Sequence, residues 1–394
     1  MPSTKNRAII HLDLDAFFCA VEEQRDPSLR GQPFAVGGSP QGRGVVASCS
    51  YAARQFGVRS AMPMARAVQL CPNLRIVSTH RSAYKDASQH VMERLHALTP
   101  QVEQLSIDEA FLDVSALPEE PESLGRRLQA KIRDELNLPS SLGIASNKLV
   151  AKIATDVGKA AHSGSRPPNA LTVVPPGQEA DFLAPLPVEM LWGVGPKTAQ
   201  KLAPLGVETI GDLAAIPELK LAELLGKHGW ALSKRAKGLD DRPIVTEREA
   251  KSFSREKTFS RDIRDGAILR ETLRKQAQDV TRRLHRRGRS ARTVTIKIRW
   301  PDFETLTRQT TLDQASDDEA LITETALQLF EQVWKPGRAV RLIGMGVSNL
   351  DEHARQLGLW DSDVQREVQL HQTLKDLQTR FGKGAIWRGP DRGD

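Results

Sequence analysis

Apolar positions in the first 160 residues recur with two different periods. Residues 7–14, RAIIHLDL, form a short run rich in β-branched residues, and AFFCAVEEQ directly after it carries apolar residues at helical spacing. A strand therefore feeds a helix. Further strands are predicted at FAVGG, GVVASCS, LRIVST, EQLSI paired with AFLDVS as a hairpin, and SLGIAS, interleaved with helices at 51–57, 63–71, 82–98, 122–137 and 147–158. Strands joined partly by a short turn and partly through helices predict an antiparallel or mixed sheet covered on one face by helices.

The pattern changes twice further on. HSGSRPPNALTVVPPG (162–177) is rich in Pro, Gly and Ser and reads as an exposed connection between domains. Short helices punctuated by GVGP and LGV follow between about 182 and 240, and the polar, charged DDRPIVTEREAK (240–251) reads as a tether. The final pattern is strand (SREKTFS), long helix (ILRETLRKQAQDVTRRLH), two strands (RTVTIKIRW, TLTRQTTL), helix (EALITETALQLFEQVW) and strand (VRLIGMGVS). This βαββαβ order predicts a compact sheet with helices on one face.

Length and composition fit several domains. The 394 residues allow two to four cores, and there is no apolar stretch of membrane-spanning length and no signal-peptide pattern at the start, so a cytosolic protein is expected. Cys19, Cys49 and Cys71 lie far apart without ligand spacing, which argues for reduced thiols and against a zinc site or disulfide framework. The net charge of +7 is localised: residues 251–350 hold 20 Lys/Arg against 13 Asp/Glu. That stretch carries the whole excess and points to a polyanionic partner or, equally, to a solvated basic face.

Asp13 at the end of the first strand, and Asp108 and Glu109 at a hairpin tip, bear the first candidate chemistry. Adjacent acids repel one another unless cations hold them, and divalent metal with oxygen ligands is the usual remedy. Two ions about 3.5–4 Å apart serve in-line phosphoryl displacement. The alternative at this point is a pair of exposed turn carboxylates.

The strings HLDLDAFFCAVE, GVVASCSYAARQFGVRSAMP, LSIDEAFLDVS and GIASNKLVAKIATD resemble, in order and spacing, the palm and fingers motifs of Y-family DNA polymerases, on the branch of DNA polymerase IV. The resemblance runs from about residue 8 to residue 387. It implies an α+β, multidomain right-hand polymerase: a ferredoxin-like palm (1–18 and 78–165), small fingers (19–77), a helix-hairpin-helix thumb (166–240), a linker (241–252), a βαββαβ little finger (253–350) and a C-terminal tail (351–394).

By the same resemblance Asp13, Asp108 and Glu109 would be catalytic metal ligands, with the backbone carbonyl of Leu14 adding an oxygen, for two Mg2+ ions, Mn2+ being possible. Phe18 would be the steric gate against a 2′-hydroxyl, whereas Phe17 reads as core. Asp15 reads as the N-cap of a helix starting at Ala16. Tyr51 and Arg54, three apart on one helical face, would meet a nucleotide triphosphate together with Ser48. Lys159 would contact the terminal phosphates, although AAHSGSRPP departs from the family's tighter turn after this lysine, and a solvated helix-end lysine is the alternative.

LWGVGPKTAQKL resembles a helix-hairpin-helix in which Gly193 and Gly195 turn backbone N–H groups toward a DNA phosphate near Lys197. SFSREKTFS, with Arg255 and Lys257, resembles the opening strand of the little finger, whose grip on DNA would be electrostatic. The arginine cluster at 282–292 is either a DNA contact or a solvated helix end. Gln356, Leu357, Leu359 and Trp360 resemble the peptide that docks on the sliding clamp. The expected partners are primer-template DNA, deoxynucleoside triphosphates and the clamp, with no membrane and a monomeric chain. An inactive scaffold or a nucleotide cyclase on a similar sheet are the competing readings. The intact acids oppose the first, and the downstream half opposes the second.

Overall fold

The computed structural model describes residues 7–162 and 164–352 and divides into two compact units. The first runs to Glu249 and takes in Thr258–Asp262; the second is built from Ala250–Lys257 and the chain from Ile263 on.

Chain order in the first unit begins with strand β1 (Ile9–Leu14), helix α1 (Phe17–Arg25), strands β2 (Phe34–Gly37) and β3 (Val46–Cys49), helices α2 (Tyr51–Arg54) and α3 (Met64–Leu70) and strand β4 (Arg75–Val77). Helix α4 (Arg81–Leu98), strands β5 (Val102–Gln104) and β6 (Glu109–Asp113), helix α5 (Pro121–Leu136), strand β7 (Ser140–Ala145), helix α6 (Lys148–Ala160) and strand β8 (Leu171–Val173) follow. They form a five-stranded sheet in the order β5-β6-β1-β7-β8 and a small one in the order β3-β2-β4. β1 is antiparallel to both neighbours, whereas β8 runs parallel to β7, so the larger sheet is mixed.

Two expectations need correction here. Helices cover both faces of the larger sheet, not one. Ile10, Leu12 and Leu14 pack with Val91 and Leu95 of α4 and Leu128 and Ile132 of α5, while Ile9, Phe111 and Ala145 pack with Leu149, Val150 and Ile153 of α6. A strand buried on both faces loses the polar/apolar alternation of a half-exposed one, which is how IIHLDL reads. Second, the 162–177 segment is more than a connection, since part of it joins the larger sheet. Its LTV forms β8, where Leu142 N–H donates to Ala170 O at 2.8 Å and Val174 N–H to Ile144 O at 2.8 Å.

Helices α7 (Glu179–Leu183), α8 (Pro196–Leu202), α9 (Ile210–Ala215), α10 (Glu218–Leu225) and α11 (Lys227–Ala236) follow. α9 starts on a capping box between Thr209 and Asp212, which satisfies two otherwise open N–H groups. Beyond them the 240–251 segment is not a free tether. Arg7 donates to Arg242 O at 2.6 Å, Leu149 N–H to Asp240 Oδ2 at 3.0 Å and Val245 N–H to Glu103 Oε2 at 2.9 Å, and Arg248 pairs with Glu103 as well. Glu103 is fully buried on β5 and also takes Lys148 Nζ at 2.5 Å, so polar residues that look solvated in sequence are strapped to a buried carboxylate.

The second unit realises the βαββαβ expectation: β9 (Ser252–Ile263), α12 (Gly266–Arg287), β10 (Arg289–Arg299), β11 (Thr305–Ser316), α13 (Glu319–Val333) and β12 (Val340–Glu352), with strand order β11-β10-β12-β9. Val294, Ile296 and Ile298 are buried at alternate positions of β10, leaving Thr295, Lys297 and Arg299 on the other face. The three cysteines are free and buried, and among the described residues no helix is long and apolar enough to cross a membrane.

Candidate active site

The acids come together because β1 and β6 pair antiparallel with Asp13 opposite Glu109. Leu14 N–H donates to Asp108 O at 3.0 Å, so Asp108 sits where the two strands part. Ser106 fixes this turn: its hydroxyl donates to Asp108 Oδ1 at 2.5 Å and accepts from the N–H of Asp108 and of Glu109. The Leu14 side chain is buried in the core.

Each acid has a cation or donor of its own. Lys159 Nζ donates to Asp13 Oδ1 at 2.5 Å and lies 3.5 Å from Asp15, and Lys152 Nζ donates to Glu109 Oε1 at 2.7 Å. Lys159 was expected from sequence; Lys152 was not, although its seven-residue spacing from Lys159 puts both on one face of α6. Among the described residues no three Asp, Glu, His or Cys side chains close around a single point. Burial pushes the Asp13 carboxyl up to about 7; Lys159 opposes this, and Glu109 and Asp108 add to it. Burial lowers Lys159, yet Asp13 and Asp15 outweigh it and leave the ammonium above its ordinary value. His11, two residues before Asp13 on β1, is held neutral by burial and then by Lys152 and Lys159.

Asp15 is not an N-cap. Helix α1 starts at Phe17 behind Ala16, which takes a left-handed conformation (φ 45°) and leaves the first-turn N–H groups without a side-chain cap. The Asp15 carboxylate is buried instead and accepts from Ser141 Oγ at 2.9 Å and Asn169 N–H at 3.1 Å. The cap would have to come from the residue next to the first helical one, and Asp15 lies one position too early.

Phe17 is core, as expected, and Phe18 is half-buried. Phe18 stacks on Tyr84 of α4 with ring centroids 4.3 Å apart and planes 13° from parallel. Tyr84 OH donates to the buried Glu22 at 2.5 Å, with His80 Nδ1 on the same carboxylate at 2.9 Å. The backing of Phe18 was not foreseen, since sequence gives no cue that residues 66 apart stack.

Tyr51 and Arg54 share a face of α2, with the guanidinium 4.3 Å from the Tyr51 ring centre. Among the described residues Tyr51 OH and Arg54 Nε, both buried, have no hydrogen-bond partner, so two donors are available to an acceptor. Burial first, then Asp15, pushes the Tyr51 phenol up to about 12, so it stays protonated and a donor. Ser48 lies on β3 with its hydroxyl 3.5 Å from the Cys19 thiol.

Gly193 has φ 108°, a conformation that L side chains rarely adopt, so the turn before α8 calls for glycine, whereas a Cβ there would meet only the movable tip of Arg235 at 2.8 Å. Gly195 is the N-cap of α8, and Lys197 in its first turn is exposed. In the second unit Arg255 and Lys257 lie on exposed stretches of β9, Arg255 3.6 Å from Asp279. Gln356, Leu357, Leu359 and Trp360 lie outside the described residues.

Comparison with known proteins gives this arrangement its relatives. The impB/mucB/samB family matches residues 12–156, its C-terminal domain residues 250–359, and the HHH motif of the IMS family residues 176–207. A DNA polymerase IV from Dehalococcoides mccartyi is 38% identical over 387 residues, 97% of each chain. Among solved structures, a Y-family DNA polymerase chimera of Dbh and Dpo4 is similar with a TM-score of 0.77 at 27% identity, covering 88% of this chain and 99% of its own. An insertion ternary complex of Dbh DNA polymerase covers the same shares with a TM-score of 0.62 at 27% identity. A sheet that sets Asp13 against Glu109 beside Asp108, and a chain that matches its relatives from end to end, lead to one conclusion: this chain belongs to the Y-family of DNA polymerases, in the branch of DNA polymerase IV.

Proposed function

We propose that this DNA-directed DNA polymerase extends primers across damaged as well as intact templates, with two divalent ions held by Asp13, Asp108, Glu109 and the Leu14 carbonyl, at low fidelity and without a proofreading exonuclease. The pairing of Asp13 with Glu109, with Lys159 on Asp13 and with the donors of Tyr51 and Arg54 unpartnered among the described residues, carries this reading. The donor set fits: it is all oxygen, which suits magnesium or manganese, and Glu109 and Asp108 lie near enough to add to the burial that raises the Asp13 carboxyl, a crowding of acids that a bound cation would relieve. Such ions, when bound, supply Lewis-acid stabilisation of charge and activation of the attacking oxygen.

The chain's own residues hold and select the reactants. Tyr51 and Arg54, with Ser48, donate to phosphate oxygens of the incoming deoxynucleotide, and Lys159 neutralises its terminal phosphates. Phe18, backed by Tyr84, fills the volume that a 2′-hydroxyl needs. Their contribution is positioning and charge stabilisation, with no covalent step.

The five-stranded sheet and its helices would be the palm, the small sheet with α2 and α3 the fingers, and α7–α11 the thumb, gripping backbone phosphates at Gly193, Gly195 and Lys197. The second unit would be the little finger, holding primer-template through Arg255, Lys257 and its basic surface, and residues 356–360 in the tail would dock on the sliding clamp. The ternary complex among the relatives supports DNA and nucleotide as partners, and a bacterial DNA polymerase IV relative fits a location in the bacterial cytosol; the reading takes the chain as a monomer, at the nucleoid when active.

Extension of a labelled primer past an abasic site tests the proposal. Bypass with frequent misincorporation, and no trimming of a mispaired primer end, is expected; arrest at the lesion or excision of the mispair contradicts it. Deleting 356–360 should abolish stimulation by the clamp while distributive synthesis continues.

A further inference from the structure

The geometry points to His11 as a positioning residue that, through Thr155, locks α6 in the register that sets Lys152 over Glu109 and Lys159 over Asp13. It rests on the reading of those acids and of Lys159 given above.

His11 and Asp13 lie two apart on β1 and so face the same side of the sheet. Across the strand boundary His11 pairs with Gly143 of β7. A Cβ on Gly143 would stand 2.0 Å from Ala151 O and 2.7 Å from Thr155 Oγ1, so α6 rests there on bare backbone. In that close approach His11 Nδ1 and Thr155 Oγ1 lie 2.9 Å apart, both residues fully buried. The Thr155 hydroxyl also lies 3.2 Å from Ala151 O and 3.4 Å from His11 O: with its proton on either carbonyl Oγ1 accepts from Nδ1–H, and in the other imidazole tautomer it donates to Nδ1, so the pair is bonded in both.

Lys152 precedes Thr155 by three residues and Lys159 follows it by four, so all three share one helical stripe. The buried Lys148–Glu103 pair and the Leu149 N–H bond to Asp240 tie down the first turn of α6, but further along, between the two lysines, Ile153 and Ala154 pack on the sheet without direction. A slip of one residue along α6 shifts the helix by about 1.5 Å and turns it by about 100°, which carries both lysines off their acids. The His11–Thr155 bond is directional and central to the stripe, and it opposes that slip.

The test is single-nucleotide incorporation on a primer-template, with kcat and KM for the correct deoxynucleotide and thermal melting recorded for each variant. Thr155→Val and His11→Leu remove the bond; Thr155→Ser and His11→Asn keep a hydroxyl and an N–H in place. Thr155→Ala accompanies Thr155→Val so that at least one folded protein lacks the hydroxyl. The expected result is KM raised about tenfold by loss of the bond, with kcat changed less, recovery to within about twofold in the conservative variants, and an added effect of Thr155→Val below about twofold once Lys159→Ala is present. Unchanged KM in a folded Thr155→Val or Thr155→Ala protein, or effects that multiply in full with Lys159→Ala, would overturn the inference while the parent still extends primers. A parent that does not extend primers overturns the polymerase reading itself.

Discussion

Replacing Asp13 by Asn should make the metal-free protein more stable and catalytically dead. The folded carboxyl titrates near 7 against 3.8 for the ordinary group, because burial dominates and Glu109 and Asp108 add to it. Between those values the folded state holds more protons than the unfolded state, so the ionised carboxylate destabilises progressively as pH rises, and the whole penalty is present above about pH 7. That difference corresponds to at most about 4 kcal/mol, with little solvent screening because the side chain is only 15% exposed. Asn mimics the protonated acid, and Lys159 keeps Asp15 at 3.5 Å as a counter-charge. Urea denaturation in the presence of a chelator should therefore show a gain for Asp13→Asn that grows between about pH 5 and pH 8 toward a ceiling of about 4 kcal/mol, less what Lys159 loses with its first counter-charge. Millimolar magnesium should stabilise the wild type at the higher pH more than the variant. A gain that does not change with pH, or a variant less stable than wild type near pH 8, would refute the reasoning.

Other residues give independent checks. Phe18→Ala should raise ribonucleotide incorporation at least tenfold while leaving deoxynucleotide use largely intact, and Tyr84→Leu should give a smaller loss of selectivity, since the stack contributes about 0.5–1.5 kcal/mol; competition between the two sugars in primer extension reads both. Glu103→Ala strands a buried Lys148 and releases Val245 and Arg248, so a loss of about 3–5 kcal/mol in urea and new protease cleavage within 241–252 are expected. Arg255→Ala should lower the slope of log affinity for primer-template against log salt by about one, measured by fluorescence anisotropy, without changing sequence preference.

How much was legible depended on whether a feature was local. Asp13, Asp108, Glu109, Tyr51 and Arg54 sit in short contiguous strings that carry the family resemblance, and the βαββαβ unit was readable because each element has one clean period. Pairings across the chain were not. Lys152 against Glu109, Tyr84 behind Phe18 and Thr155 under His11 depend on the register of β1 with β6 and β7 and on how closely α6 can approach Gly143. The 240–251 segment was misread for the same reason: its charges look solvated until the buried Glu103 on another strand is known. Asp15 shows the opposite error, in which a good capping residue in sequence was drawn inward by Ser141 and Asn169, two partners more than 120 positions away.

The central claim is that the three acids on β1 and at the β6 turn form a polymerase site, and primer extension tests it most directly. A labelled primer on a defined template, with magnesium and deoxynucleotides, is given to the intact protein and to the Asp108→Ala/Glu109→Ala variant. Extension by the intact protein and none by the folded, DNA-binding variant is the predicted result; inactivity of both with primer-template binding preserved, or full activity in the variant, would contradict the account.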